Sequence, residues 1–304
     1  MKHTHTQRKL FALTTLALSL CGAVLLTLCY LTAYDSAIGY FKKDATLPIL
    51  TTALALLFTA GILGDAILLH RKSDTPLAVT DPLWHRVVSA LVGVGFLAVT
   101  LVDMMAEAPL LTLLAGLLGG AHFLLRALKP KSYLPLTLTG IGVIARLTLA
   151  IGQLYFNGAI TMNAPVKVYL QLGCVAGMCL LLRDVKATVN PVRSFLTPMA
   201  LGLGTFLLTL ASLPTLVAEG LGRMDSLDVA PVPLLLLLLW LYALSRMLTL
   251  FVTPKSGEEE STEEAPTEEV PAEETPNKEV PAEETPNEEE PTAEESETNP
   301  ADPS

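Results

Sequence analysis

Asp65, His122, Arg146 and Arg246 are ionisable residues that stand inside long apolar stretches of this chain. Each such group costs roughly 2.5 to 3.5 kcal/mol on insertion into hydrocarbon, so each calls for a partner or a water-filled path. Arg146 falls near the middle of its stretch, and the other three fall roughly 7 to 10 Å from one end at about 1.5 Å per residue. That spacing would let the four meet in one polar layer. A carboxylate, an imidazole that titrates near neutral pH and two guanidinium groups have the chemistry of a proton or substrate site. The same set also suits a structural role, with Asp65 pairing with Arg146 or Arg246, Arg246 snorkelling to the interface and His122 bonding a backbone carbonyl. Asp103, Gln153 and Gln171 make a second candidate layer toward the opposite end, which interhelical hydrogen bonding also explains.

The elements that must position these groups follow from length and hydropathy. A helix needs about 20 apolar residues to cross roughly 30 Å of hydrocarbon. Eight segments meet that test: 10–33, 46–69, 87–105, 109–128, 134–156, 165–183, 197–219 and 232–251. Runs of this length lack the alternation of barrel strands, and lipid tolerates no unpaired backbone, so the expected fold is all-α, a polytopic transmembrane helix bundle over residues 1–253. Pro48, Pro109, Pro135, Pro165, Pro198 and Pro233 fall at or near the first turns, where a missing N–H costs little. Pro214 falls within the seventh span, where it should bend the helix. Only Ala106 to Pro109 separate the third and fourth segments, which predicts a tight antiparallel hairpin; one re-entrant element there would change the span count. The first apolar run, preceded by Lys2, Arg8 and Lys9, is longer than the core of a signal peptide and reads as an uncleaved span.

Small residues offer packing sites. Gly116 and Gly120 form GxxxG in the fourth span, and Gly173 and Gly177 form another in the sixth. In a multi-span chain these are expected to bring helices together within the bundle rather than between copies. Cys21, Cys29, Cys174 and Cys179 all fall in apolar stretches with no CxxC pairing and no His at ligand spacing, so neither a disulfide framework nor a metal site is expected.

Residues 254–304 belong to a different solvent. They hold 18 Glu, Asp302 and two Lys, a net charge of −17, which leaves +7 on residues 1–253 out of the −10 of the whole chain. Proline recurs every five residues from Pro266 to Pro291, and the string EVPAEETPN at 269–277 is repeated letter for letter at 279–287. Like charges repel, proline blocks ladders and there is little apolar surface to bury, so a disordered acidic tail is expected. Its reach covers the chain's own basic loops, which makes those loops, or a basic partner, its natural contacts; a repeat-expanded solvating appendage is the alternative reading.

Orientation follows from Lys and Arg. With the N-terminus inside, fourteen fall on the cytoplasmic side against Lys42, Lys43, Lys167 and Arg223 outside. Both termini are therefore expected in the cytoplasm, with the chain in the plasma membrane.

The stretch carrying Tyr155, Phe156, Met162, Asn163, Pro165, Lys167 and Gln171 resembles a segment of uncharacterised multi-spanning membrane proteins of Gram-positive gut-type bacteria. That resemblance implies a bacterial plasma membrane and carries no activity with it.

Function is bounded mainly by exclusion. There is no GxSxG, HExxH or GxxxxGKS, and no soluble stretch is large enough for a nucleotide-binding or kinase domain. No basic, aromatic-interleaved surface points to nucleic acid. No cofactor is implied, and the bilayer itself is the one certain partner. The leading expectation is a non-catalytic sensor, scaffold or assembly protein with a cytoplasmic acidic arm. The alternative is a small transporter or permease that uses the intramembrane polar layer.

Overall fold

The computed structural model describes residues 2–36, 38–72, 81–128, 133–158, 161, 163–190, 194–223 and 231–252. The acidic repeats at 254–304 lie outside the described residues. Eight helices follow in order: α1 (Lys2–Thr32), α2 (Thr46–Lys72), α3 (Leu83–Met105), α4 (Leu110–Leu128), α5 (Tyr133–Phe156), α6 (Pro165–Val189), α7 (Leu196–Gly220) and α8 (Val232–Thr249). All eight are long and apolar enough to cross a membrane. The chain is thus an integral membrane protein of the all-α class, with the eight spans expected from its hydropathy.

One departure from pure helix occurs among the described residues. Between α1 and α2 the chain forms a two-stranded hairpin, β1 (Tyr34–Asp35) and β2 (Tyr40–Phe41), paired Tyr34 to Phe41 and Asp35 to Tyr40. Gly39 takes a φ of 72° at its turn, a left-handed conformation that suits glycine. Tyr30 at the end of α1 stacks on Phe41 at 5.7 Å and meets Tyr34 edge-on at 5.6 Å. Amphipathic rings of this kind favour the membrane–water interface.

The α3–α4 connection is the tight hairpin predicted from four residues. Ala108 N–H donates to Asp103 O at 2.9 Å and Glu107 N–H to Met104 O at 3.2 Å, the paired bonds of a Schellman end. Glu107 occupies the left-handed position at φ 55°, where glycine would fit without strain. α7 ends the same way, but there the left-handed residue is Gly222, with Arg223 N–H donating to Ala218 O at 2.9 Å.

α7 is the hub of the bundle, packing on α1, α2, α6 and α8, while α3, α4 and α5 form a consecutive row that closes on α8 through α3. Pro214 lies buried inside α7, and the helix continues past it to Gly220. α2 packs chiefly on α1 and α7 and has the least buried surface of the eight. The outward faces carry Leu56, Leu91, Leu101 and Ile141, as expected of surface wetted by lipid rather than water.

Glycine lets the row of α3, α4 and α5 close up. A methyl group on Gly116 would lie 2.2 Å from Thr100 Oγ1, and one on Gly120 would lie 2.6 Å from Leu97 Cδ2. On Gly142 of α5 it would lie 2.2 Å from Leu118 Cβ, an atom fixed to the α4 backbone. The second GxxxG serves α6 in the same way: Gly173 faces Ala211 of α7, and Gly177 faces Leu239 of α8. Both pairs therefore pack inside the bundle.

Because the Leu118 Cβ cannot swing away, Gly142→Ala must spread α4 from α5. Overpacking of this kind costs about 1 to 3 kcal/mol. Thermal unfolding in detergent should show a clear drop in midpoint for Gly142→Ala and little change for Gly152→Ala, where an added methyl meets open space.

Candidate functional site

The largest concentration of buried polar chemistry is an ionic network at the bundle end where α3 begins and α4, α6 and α8 finish. Helix dipoles explain which charges stand there. Asp81 precedes α3, near the partial positive charge of its N-terminus, while Arg126 and Arg246 lie in the last turns of α4 and α8, near partial negative charge. Asp184, in α6, is 8% exposed and closes the set.

Two aspartates and two arginines thus balance to zero formal charge. Arg246 Nη1 meets Asp81 Oδ1 at 2.6 Å and its Nε meets Asp184 Oδ1 at 3.1 Å. Arg126 Nη1 lies 3.2 Å from Asp184 Oδ2, and its Nη2 lies 3.8 Å from Asp81 and donates to Thr188 Oγ1 at 3.0 Å. Tyr242 of α8 donates its hydroxyl to Asp184, and its ring packs 5.1 Å from Phe123. Every charge is thereby met by at least two neighbours, and the network ties α3, α4, α6 and α8 together.

A histidine extends it. His85 Nδ1 lies 2.7 Å from Ser245 Oγ, and Ser245 gives its own proton to Tyr242 O at 2.7 Å. With its own proton so used, the serine oxygen is free to accept from an Nδ1–H of His85. Its Nε2 stands 3.7 Å from Asp81 and makes no hydrogen bond among the described residues.

Beside the network lies a cavity of about 40 Å³, walled by Arg183, Asp184, Thr197, Arg246 and Thr249 among others. Water needs at least about 10 to 15 Å³ and two to four polar partners, so the space suits a few waters and no larger ligand. Arg183 also donates to Ser194 Oγ at 2.6 Å, which fastens the end of α6 to the start of α7.

The four residues expected to share one layer do not meet. Asp65 accepts a hydrogen bond from Thr14 Oγ1 at 2.7 Å, an α1–α2 contact. His122 places Nδ1 3.0 Å from Leu136 O of α5, and its Nε2 has no partner among the described residues. Arg146 pairs with Asp103 at 2.8 Å, and only Arg246 belongs to the ionic network. The physical reason is rotational: depth along a helix places residues at one level, yet each of these faces a different neighbour.

The second expected layer also resolves differently. Asp103 leaves Gln153 and Gln171, which are half-buried, and takes the guanidinium from the bundle's middle instead. Arg146 is fully buried, and its Nε and Nη1 have no hydrogen-bond partner among the described residues. Lys167, read as a loop cation, is 1% exposed and donates to Tyr155 O at 3.3 Å and Asn157 O at 3.1 Å. It satisfies carbonyls that the end of α5 leaves without helical partners.

Asp81, His85, Arg126, Asp184 and Tyr242 were not singled out from sequence. Arg126 falls two residues before the expected end of the fourth span, where a cation reads as an interface charge, and Asp184 falls just past the expected end of the sixth. The usable signal was the set of opposite charges within one turn of the same end of four helices. Among the described residues no three His, Cys, Asp or Glu side chains gather as a metal site. Comparison with protein-family models, with curated proteins and with solved structures finds no match to this chain.

Asp184 touches both arginines, so Asp184→Leu would leave two buried cations short of a counter-charge. Removing one partner of a buried pair typically costs about 3 to 5 kcal/mol. Asp184→Leu should unfold far below the wild-type midpoint or fail to accumulate, whereas Asp44→Leu, on an exposed residue, should not.

Proposed function

We propose that this chain is a non-catalytic membrane protein of the sensor, scaffold or assembly kind. The observation that carries this reading is the pairing of its membrane-depth charges with one another. Arg146 takes Asp103, while Arg126 and Arg246 share Asp81 and Asp184, so the guanidinium groups join helices instead of lining a path. A conducting or transporting site needs groups that exchange partners with a passing substrate, and pairs held across four helices resist that exchange.

The reading includes both termini in the cytoplasm of a bacterial plasma membrane, with the acidic tail as an interaction arm. Burial sharpens the charge count behind it. Arg126 and Arg246 are held in the ionic network and Lys167 caps α5, so none of the three acts as a loop cation. Setting them aside leaves twelve Lys and Arg on the inner side against three outside, and the bias survives. The ionic network then lies at the cytoplasmic end of the bundle.

The decisive comparison is at Asp103 and Arg146. A structural pair predicts that Asp103→Asn and Arg146→Gln each lower thermal stability by about 3 kcal/mol or more, and that exchanging the two residues recovers much of the loss. A transport role predicts instead that the single variants stay folded and abolish a proteoliposome flux, with no recovery on exchange. Separately, a C-terminal tag on intact cells should stay inaccessible to impermeant label until the membrane is opened; labelling of intact cells would reverse the proposed orientation.

A further inference from the structure

At the end of the bundle opposite the ionic network, the structure holds a second cavity of about 460 Å³. It lies between α2 and α6, with residues of α1 and α7 and Phe41 of the hairpin completing its lining. The walls are almost wholly apolar. Its polar groups are few, and two of them, Cys29 and Thr51, bond to each other at 3.1 Å. Backbone approaches between α2 and α6 are few here, and a Thr52–Tyr169 side-chain hydrogen bond spans the space between them.

Three observations identify what fills it. The first is its side opening: Leu56, Val168 and Leu172 line the cavity and are 68%, 41% and 43% exposed, so it communicates with the surrounding hydrocarbon. An empty apolar space of this size would forfeit dispersion contacts along every wall, and the adjacent lipid chains are the most concentrated apolar ligand in reach. The second is its depth. Along α2 the lining runs from Pro48 to Thr59, about 16 Å at about 1.5 Å per residue. One leaflet occupies about half of the roughly 30 Å hydrocarbon core.

The third observation is the charge that follows Phe41 in the chain. Lys42 and Lys43 directly follow Phe41, both are exposed, and neither ammonium has a protein partner among the described residues. Asp44 beside them offsets one charge, and Asp35 across the hairpin already has a contact of its own. Lysine stems can lie along apolar surface while the ammonium group reaches a phosphate at headgroup depth. The stacking of Tyr30 on Phe41 fixes the hairpin beside the cavity, within two residues of both lysines.

We propose that this cavity binds one acyl chain of a glycerophospholipid from the leaflet at the hairpin end, with Lys42 and Lys43 holding its phosphate. The inference goes beyond the scaffold reading and does not depend on it. It assigns α2 a lipid as its missing neighbour, and it makes the α1–α2–α6–α7 face responsive to the lipids present.

The test uses the full chain in nanodiscs containing phosphatidylcholine with a photoreactive group midway along one acyl chain. Peptide mapping should find label on Thr52 to Thr59 and Val168 to Leu172 at severalfold the level on other lipid-facing residues such as Leu91 and Leu101. Even labelling around the bundle would overturn the proposal. Native mass spectrometry of detergent-purified wild type should show one retained phospholipid, lost in Ala55→Trp or Thr59→Trp, which fill the space. Retention in a filled variant, or a dimer mass without lipid, would sink it. Lys42→Ala and Lys43→Ala should each lower phospholipid retention about fivefold and leave binding of a free fatty alcohol unchanged. Equal loss of both ligands would remove the phosphate contact from the proposal.

Discussion

Hydrocarbon offers no hydrogen bond, so a polar group carried to membrane depth must bring its partner with it. For the backbone the helix answers this demand locally, which is why eight long apolar segments become eight long helices. For side chains the answer is tertiary, and it dictates which helices are neighbours. Arg146 selects Asp103 and so registers α5 against α3. Arg126, Arg246, Asp81 and Asp184 fix the relative rotation of α3, α4, α6 and α8 at one end. Apolar packing in lipid gains nothing from expelling water, so such specific contacts, with close glycine approaches, carry more of the discrimination between arrangements than they would in a soluble bundle.

The sequence made the spans, their number and the tight α3–α4 turn legible, because those properties depend on local composition. Span ends were less sharp: α2 continues to Lys72 and α6 to Val189, since Arg71, Lys72 and Lys186 extend helices beyond the apolar run. The polar sites were legible as depths and not as partners. Asp65 and Arg146 looked suited to each other along the chain, yet Asp65 turns to Thr14 and Arg146 to Asp103. Pairing depends on azimuth and on which helix lies alongside, and neither is written in a hydropathy profile. The same limit hid the ionic network. A cation near a span end reads as a loop charge, and only the assembled bundle shows Arg126 at 3% exposure against Asp184.

The two ends of the bundle are built on different principles. At the network end, charges bind four helices and leave room for little more than water. At the hairpin end, Lys167 caps α5 and aromatic rings hold β1 and β2, but α2 and α6 leave an apolar cavity between them that a Thr52–Tyr169 hydrogen bond spans. Elements with few buried contacts open at low cost, so local stability should fall from the network toward α2. Lipid composition acts on that loose side by supplying or withholding a filler, and mass action makes the bound form the more stable one.

This asymmetry bears on how the bundle can respond to its surroundings. A ligand shifts an equilibrium only through a difference in its affinity for two states, and a rigid bundle offers no second state. The ionic network confines any alternative arrangement to helices outside it, chiefly α1 and α2, because moving α3, α4, α6 or α8 would separate buried charges. α7 packs on both α1 and α2 and also on α6 and α8, so it is the element through which the mobile pair would be felt by the fixed set. Its glycines allow that closeness: Gly202 faces Phe11 and Ile62 of the pair, and Gly204 faces Leu180 of α6. A change in how α1 and α2 seat on α7 therefore reaches the helix whose far side supports the network, with no charge having to leave its partner.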